Sequence, residues 1–403
     1  MRRLACAALA AAAVSGCGDP TLAVRPQDDA RVSGSRADQA APAYEVVTYA
    51  SSLGGTASRG NGINARGWIA GFSNLADGTR HAALWRDGAI TDLGTLGGPH
   101  SSVAWPGISS NGMVVGIAQT ATPDPLGESW SCAVFFPTFT GHTCLGFVWQ
   151  DGVMTPLPTL GGNNGYAAAV NSRGQVVGWA ETTVQDPTCD APQLLQFRAV
   201  LWEPKRGTTT ELPPLPGDSA SAATAINQRG QVVGISGECD QAVGRFTARH
   251  AVLWDRGTAA ELPNLGGQSW HTPTAINESG DVVGFSNPPG DANGEFIAHA
   301  FLWTRKDGIR DLGTLPGDAI SQAQGVNARG QVVGVSCGDA GCRAFLWEDG
   351  VMWDLNALVT PAFDGTLVSA RDVNDAGRIT GDALEQSTGA VVPYVATRAS
   401  AKP

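Results

Sequence analysis

Apolar positions in this chain come in short runs, each closed by a turn signal, and the runs repeat. The segment AINQRGQVVG (225–234) returns as AINESGDVVG (275–284), GVNARGQVVG (325–334) and AVNSRGQVVG (169–178), with looser copies at 62–71, 107–116 and 372–381. A second box follows in most copies: HAALW (81–85), GFVW (146–149), RAVLW (198–202), HAVLW (250–254), HAFLW (299–303) and RAFLW (343–347). A third ends the unit, as in DLGTLGG (92–98), ELPNLGG (261–267) and DLGTLPG (311–317). In Asn227-Gln228-Arg229-Gly230, Asn first and Gly fourth predict a type I turn with a bulge, after which Val232 and Val233 begin a returning strand. The AVLW run is apolar throughout, as suits a strand covered on both faces. Asp-Gly pairs such as Asp87-Gly88 and Asp349-Gly350 predict tight hairpins into the last strand. Each unit therefore reads as a four-stranded antiparallel meander. Small residues such as Ala222, Ala223 and Ala225 place its first strand innermost.

The anchor Asn residues at 171, 227, 277, 327 and 374 are spaced by 56, 50, 50 and 47. A period near fifty fits a propeller blade better than the ~20–29 of leucine-rich coils. The seventh unit lacks a fourth strand, whereas an unassigned one, Tyr44-Glu45-Val46-Val47-Thr48-Tyr49, opens the chain and runs into Leu53-Gly54-Gly55. A ring uses such an offset to join its two ends, while an open array needs polar caps. The expected fold is all-β: a seven-bladed β-propeller of four-stranded antiparallel blades over 44–398, closed by the N-terminal strand completing the last blade.

On these motifs the chain resembles the HAF repeat family, named for the tripeptide that stands here as His299-Ala300-Phe301. The resemblance spans residues 44–398 and rests on the combination NxxGxVVG, HAFLW and DLGTLGG. It implies an extracellular bacterial repeat protein and no catalytic residues.

Composition narrows the picture. Gly makes up 52 of 403 residues and charged residues 16%, which excludes a coiled coil, a helical bundle and a charge-rich disordered chain. A net charge of −11 gives no electrostatic footprint for nucleic acid or anionic lipid. Arg2 and Arg3 precede an apolar run, Leu4 to Val14, too short to span a bilayer. Val14-Ser15-Gly16-Cys17 then looks like a lipobox, making residues 1–17 a lipoprotein-type signal and Cys17 the lipidated residue. A plain signal cleaved after Ala11-Ala12-Ala13 is the alternative. Residues 18–43, rich in Asp, Arg, Pro and Ala, read as a tether. The expected address is the bacterial cell envelope, lipid-anchored on the outer membrane or cell surface, or else secretion.

In such a meander, the short NxxG and Asp-Gly turns share one side. The variable connections between second and third strands (2–3 loops) share the other with the unit-to-unit connections. The longest variable loop is at 118–145, and loops on a rigid scaffold are where binding sites usually sit. Six cysteines outside the signal, Cys132, Cys144, Cys189, Cys239, Cys337 and Cys342, fall in these loops. An even number in an exported chain reads as disulfides, and placement pairs them 132–144, 189–239 and 337–342. His81, His250 and His299 share a repeat position with Arg198 and Arg343, which indicates packing or a strand-edge hydrogen bond. Trp85, Trp149, Trp202, Trp254, Trp303 and Trp347 share a third-strand core position. Trp105, Trp130, Trp270, His100 and His271 have no such counterpart and are the ligand-face candidates, either stacking on a ligand or plugging the wide face. No metal or cofactor is expected, although Asp291-Ala292-Asn293-Gly294-Glu295 has oxygen ligands that Ca²⁺ can use. No nucleophile elbow or HExxH helix is present. The leading expectation is a monomeric, non-enzymatic surface propeller binding a protein or carbohydrate, touching membrane only through its anchor. The alternatives are a glycan-active hydrolase or lyase using loop carboxylates and a purely structural envelope protein.

Overall fold

The computed structural model describes residues 41–128, 132, 134–240 and 244–399. The expected signal with Cys17, the tether as far as residue 40, and Trp130 lie outside the described residues. The fold is all-β and propeller-like. Five sheets hold four strands each in chain order, and one eight-stranded sheet contains two further four-stranded sets. In that larger sheet Val391–Arg398 pairs antiparallel with Tyr44–Thr48, Tyr44 lying opposite Arg398 and Thr48 opposite Tyr394. A single parallel bridge, Ala57 to Val391, links it to Gly54–Ile63.

Unit four shows why the repeat folds this way. Its strands are Ala220–Ile226, Val232–Gly237, His250–Asp255 and Thr258–Leu262. Between the first two, Asn227 Oδ1 accepts hydrogen bonds from the amides of Arg229 and Gln231, both at 3.0 Å. Gly230 closes the turn at φ +83°, a left-handed conformation that side chains resist. Gly234, of the VVG box, lies against Ala222, where a Cβ would overlap the carbonyl oxygen.

The same Asn also joins units. Asn227 Nδ2 donates to the Asn277 carbonyl at 3.1 Å. Equivalent bonds run from Asn171 to 227, Asn277 to 327, Asn327 to 374, Asn374 to 64, and Asn64 to Ser109. Ser109 has no carboxamide to continue the series, and the step to unit three is made by the Ser110 and Ser172 hydroxyls.

The apolar core lies between consecutive units. The third-strand tryptophans fill it: Trp85, Trp149, Trp202, Trp254 and Trp347 are buried, and Trp303 is half-buried. Trp85, Trp202 and Trp254 donate their indole N–H to carbonyls of the preceding connection, at Ser51, Pro158 and Pro213. Val395 of the last unit packs against Ile63, Ile69, Ala83 and Trp85 of the first.

Candidate functional site

The 2–3 loops carry most of the irregular structure. In unit two the second strand extends to Pro123 and the third begins at His142, so the long loop is 124–141. Asp124 folds its start, Oδ1 accepting from the amides of Leu126 and Gly127. The loop then ties into both neighbours. Arg80 Nη1 of unit one donates to the Phe135 carbonyl at 2.9 Å, and within unit two His100 bonds the Thr138 hydroxyl. Toward unit three, Glu128 Oε1 accepts from the Leu195 amide at 2.8 Å, and Phe135 stacks on Tyr166. Disulfides join Cys132 to Cys144, Cys189 to Cys239 across units three and four, and Cys337 to Cys342. Cys144, Cys337 and Cys342 stand on strands flanking their loops, not within the loops as expected, because the strands run further than the apolar boxes. Disulfides fit an oxidising, non-cytoplasmic compartment. No helix among the described residues is long and apolar enough to cross a membrane.

A carboxylate pair lies under these loops. Glu128 and Glu181 are fully buried, and Gln193 Nε2 bridges them at 3.2 and 3.0 Å. Burial pushes Glu181 up to about 7, with the Gln193 hydrogen bond opposing and Glu128 adding to the rise. Burial also raises Glu128. A value near 7 at Glu181 suits general-acid chemistry, but its Oε2 is engaged by the Asn163 and Asn164 amides, and neither side chain meets the surface. The pair holds loop backbone in place.

Of the two readings of the ligand-face candidates, stacking on a ligand or plugging the wide face, the burial of His100, Trp270 and His271 favours the second. His100 is 1% exposed, stacks on Phe136 and accepts from the Arg80 amide; burial lowers it to about 4. His271 is equally buried, bonds Ser286 Oγ and the Gly267 carbonyl, and burial likewise lowers it to about 4. Trp270 donates to the Gly294 carbonyl and packs edge-on against Phe296. These three plug the wide side. Trp105 is half-buried beside the cluster that contains Tyr166 and Phe197. Trp130 lies outside the described residues.

At the shared histidine position the ring hydrogen-bonds a carboxylate of the same strand edge or connection. His81, His250 and His299 bond Asp92, Asp218 and Asp311, all at 2.9 Å, and Arg343 pairs with Asp318 and Asp354. The Asp291–Glu295 segment uses its carboxylates locally: Asp291 binds the Gln268 and Ser269 amides and Asn287, while Glu295 binds Asn293. Asp186, Cys189 and Cys239 have ligand atoms within 4.8 Å of one another, but those sulfurs are bonded together and offer no thiolate.

Two arginines that the sequence reading passed over, Arg59 and Arg80, share the Phe72 ring at the seam between the last unit and the first, and a third, Arg371, stands across it in the last unit. Arg80 lies 3.9 Å and Arg59 5.9 Å from the centre of the Phe72 ring. Arg371 Nε pairs with buried Asp382 at 3.2 Å. On the short-turn side, an apolar groove of about 430 Å³ between units two and three is lined by Met113, Val153, Leu157, Pro158, Trp202 and Lys205.

No family model and no curated relative matches the chain. Among solved structures, it is similar to the Pyrococcus horikoshii acylaminoacyl peptidase at 12% identity and TM-score 0.43, over 78% of this chain and 47% of that one. It is similar to Porphyromonas gingivalis dipeptidyl peptidase 4 at 11% identity and TM-score 0.38, over 82% and 51%. A mutant of AofleA from Arthrobotrys oligospora matches at 11% identity and TM-score 0.37, over 79% and 90%. The chain thus spans about half the length of either peptidase.

Proposed function

We propose that the seven four-stranded units form a closed seven-bladed β-propeller of the kind the HAF repeat resemblance implies. It is exported, tethered to the envelope through Cys17, and acts as a non-enzymatic recognition scaffold for a protein or carbohydrate. Two observations support closure: Tyr44–Thr48 completes the last unit, and the Asn hydrogen bonds return from Asn374 to Asn64.

The loop side is the recognition surface. The observation that carries this reading is the contrast between the two sides. Short-turn connections are near-identical from unit to unit. The 2–3 loops differ in length and sequence, and those of adjacent units two and three expose Leu126, Phe139, Val184 and Leu194 at 41%, 65%, 53% and 41%, whereas the short-turn side exposes Val153 and Val351 only at the repeated position after Asp-Gly. The burial of Glu128 and Glu181 speaks against the hydrolase alternative.

The test is capture of a partner from envelope extract, alongside a glycan array. Phe139→Ser and Val184→Ser together are expected to lower capture at least tenfold, while Val153→Ser and Val351→Ser on the short-turn side leave it unchanged. Equal losses from both sets overturn the assignment of the loop side. Glycan cleavage abolished by Glu181→Gln establishes the hydrolase instead.

A further inference from the structure

The arginines at the seam bear on what the loop side binds. In six units the fourth residue of the second strand's VVG-type box is apolar: Phe72, Ile117, Trp179, Ile235, Phe285 and Val335. In unit seven it is Asp382, 2% exposed. Asp382 spends Oδ2 on the Ser369 hydroxyl and Arg371, while the neighbouring seam carboxylate, Asp372, spends its oxygens on the Ile63 and Val373 amides. Burial holds Arg80 down to about 10, with Arg59 adding to the effect, and burial also lowers Arg59, which Asp382 opposes and Arg371 reinforces.

Their commitments differ. Arg80 is used, donating Nε to Asn74 Oδ1 and Nη1 to the Phe135 carbonyl. Arg371 is used by Asp382. Arg59 projects from the first strand of unit one, is half-buried, and has no hydrogen-bond or ion-pair partner among the described residues. Its five donors form a planar fork matched to a carboxylate. Like charges packed together oppose folding, and a bound anion removes that cost.

We propose that Arg59, flanked by Arg80 and Arg371, anchors a binding site for a carboxylate-bearing ligand on the loop side of the seam. The proposal rests on the reading of that side as the recognition surface and names the chemistry recognised there. The remaining contacts to the ligand come from the surrounding 2–3 loops. The net-negative protein repels anions at long range, so binding depends on this local centre and weakens with salt.

The experiment uses the full-length protein in thermal melts at pH 7.5 and matched ionic strength, with D-galacturonate and N-acetylalanine as two carriers of the carboxylate. D-galactose is the neutral control and inorganic phosphate the other oxyanion. One or both carboxylates are expected to raise the midpoint by several degrees in a concentration-dependent way, the responding one identifying the carrier, with no effect of galactose and a smaller one of phosphate. Arg59→Gln is expected to abolish the response while leaving the ligand-free midpoint unchanged or higher, since it removes a repelling charge. The proposal is overturned if neither carboxylate shifts the wild type, if phosphate shifts it as much, or if Arg59→Gln keeps the response. It is equally overturned if Arg59→Gln lowers the ligand-free midpoint without a wild-type carboxylate response, which makes Arg59 a packing residue on Phe72. Partner capture that persists in Arg59→Gln refutes this site alone and leaves the loop-side reading standing.

Discussion

One side chain, Asn227, caps its own turn through Oδ1 and reaches the next unit through Nδ2, so the most regular letter of the repeat does two jobs. Only the first is visible in sequence, where NxxG reads as a turn; the second needs a neighbour in space. Histidines divide by environment in the same way. His100 and His271 are held neutral by burial, near 4, whereas an unfolded histidine titrates near 6.5. The folded state binds fewer protons in that interval. Their contribution is therefore complete above pH 6.5 and is lost as pH falls toward 4, about 3 kcal/mol for each. His250 and His299, raised by their hydrogen bonds to Asp218 and Asp311, contribute most below 6.5 and lose it as pH rises through their folded values. Glu181 acts in the latter sense, losing its contribution between 4.5 and about 7. Urea midpoints measured from pH 4 to 7.5 are expected to show a shallower acid loss in His271→Gln than in wild type, and no such flattening in His250→Gln.

At the level of elements, strand order and turn positions were legible because each has a local cause: an Asn, a Gly, an Asp-Gly pair, or an apolar run. Loop anatomy was less so. In sequence, the Asp291–Glu295 segment reads as a cation site and the loop carboxylates as acid/base candidates, yet Asp124, Asp186 and Asp291 bind backbone amides, and that role depends on how the chain curls back. Tryptophan and histidine lacking a repeat counterpart read as displayed or as plugs, and burial decides for plugs; sequence gives the residue type but not the lid above it. The seam arginines were missed because each stands alone in sequence, and only Asp382, a carboxylate in an apolar column, offered a signal. The loop cross-links should differ in value with the chain they close. Separations of 50, 12 and 5 residues correspond to losses of about 4, 3 and 2 kcal/mol on removal. Paired Cys→Ser variants compared by chemical denaturation are expected to fall in that order.

For the whole molecule, cooperativity follows from how the last unit is made. Tyr44 is fully buried among Leu346, Leu355, Leu367 and Tyr394, so the first strand supplies core to the end of the chain. Deleting residues 41–48 is expected to lower the melting midpoint by at least 10 °C and broaden the transition, with a synthetic 41–50 peptide partly restoring it. An unchanged midpoint shows that the strand closes nothing.

Strand direction has one more consequence. Tyr44 stands beside Arg398, and Arg398 reaches Glu348 next to an Asp-Gly turn, so both ends of the described chain leave from the short-turn side. Whatever is attached at either end, whether a lipid, an affinity handle or a surface for immobilisation, sits on the short-turn side and leaves the 2–3 loops on the opposite one unobstructed.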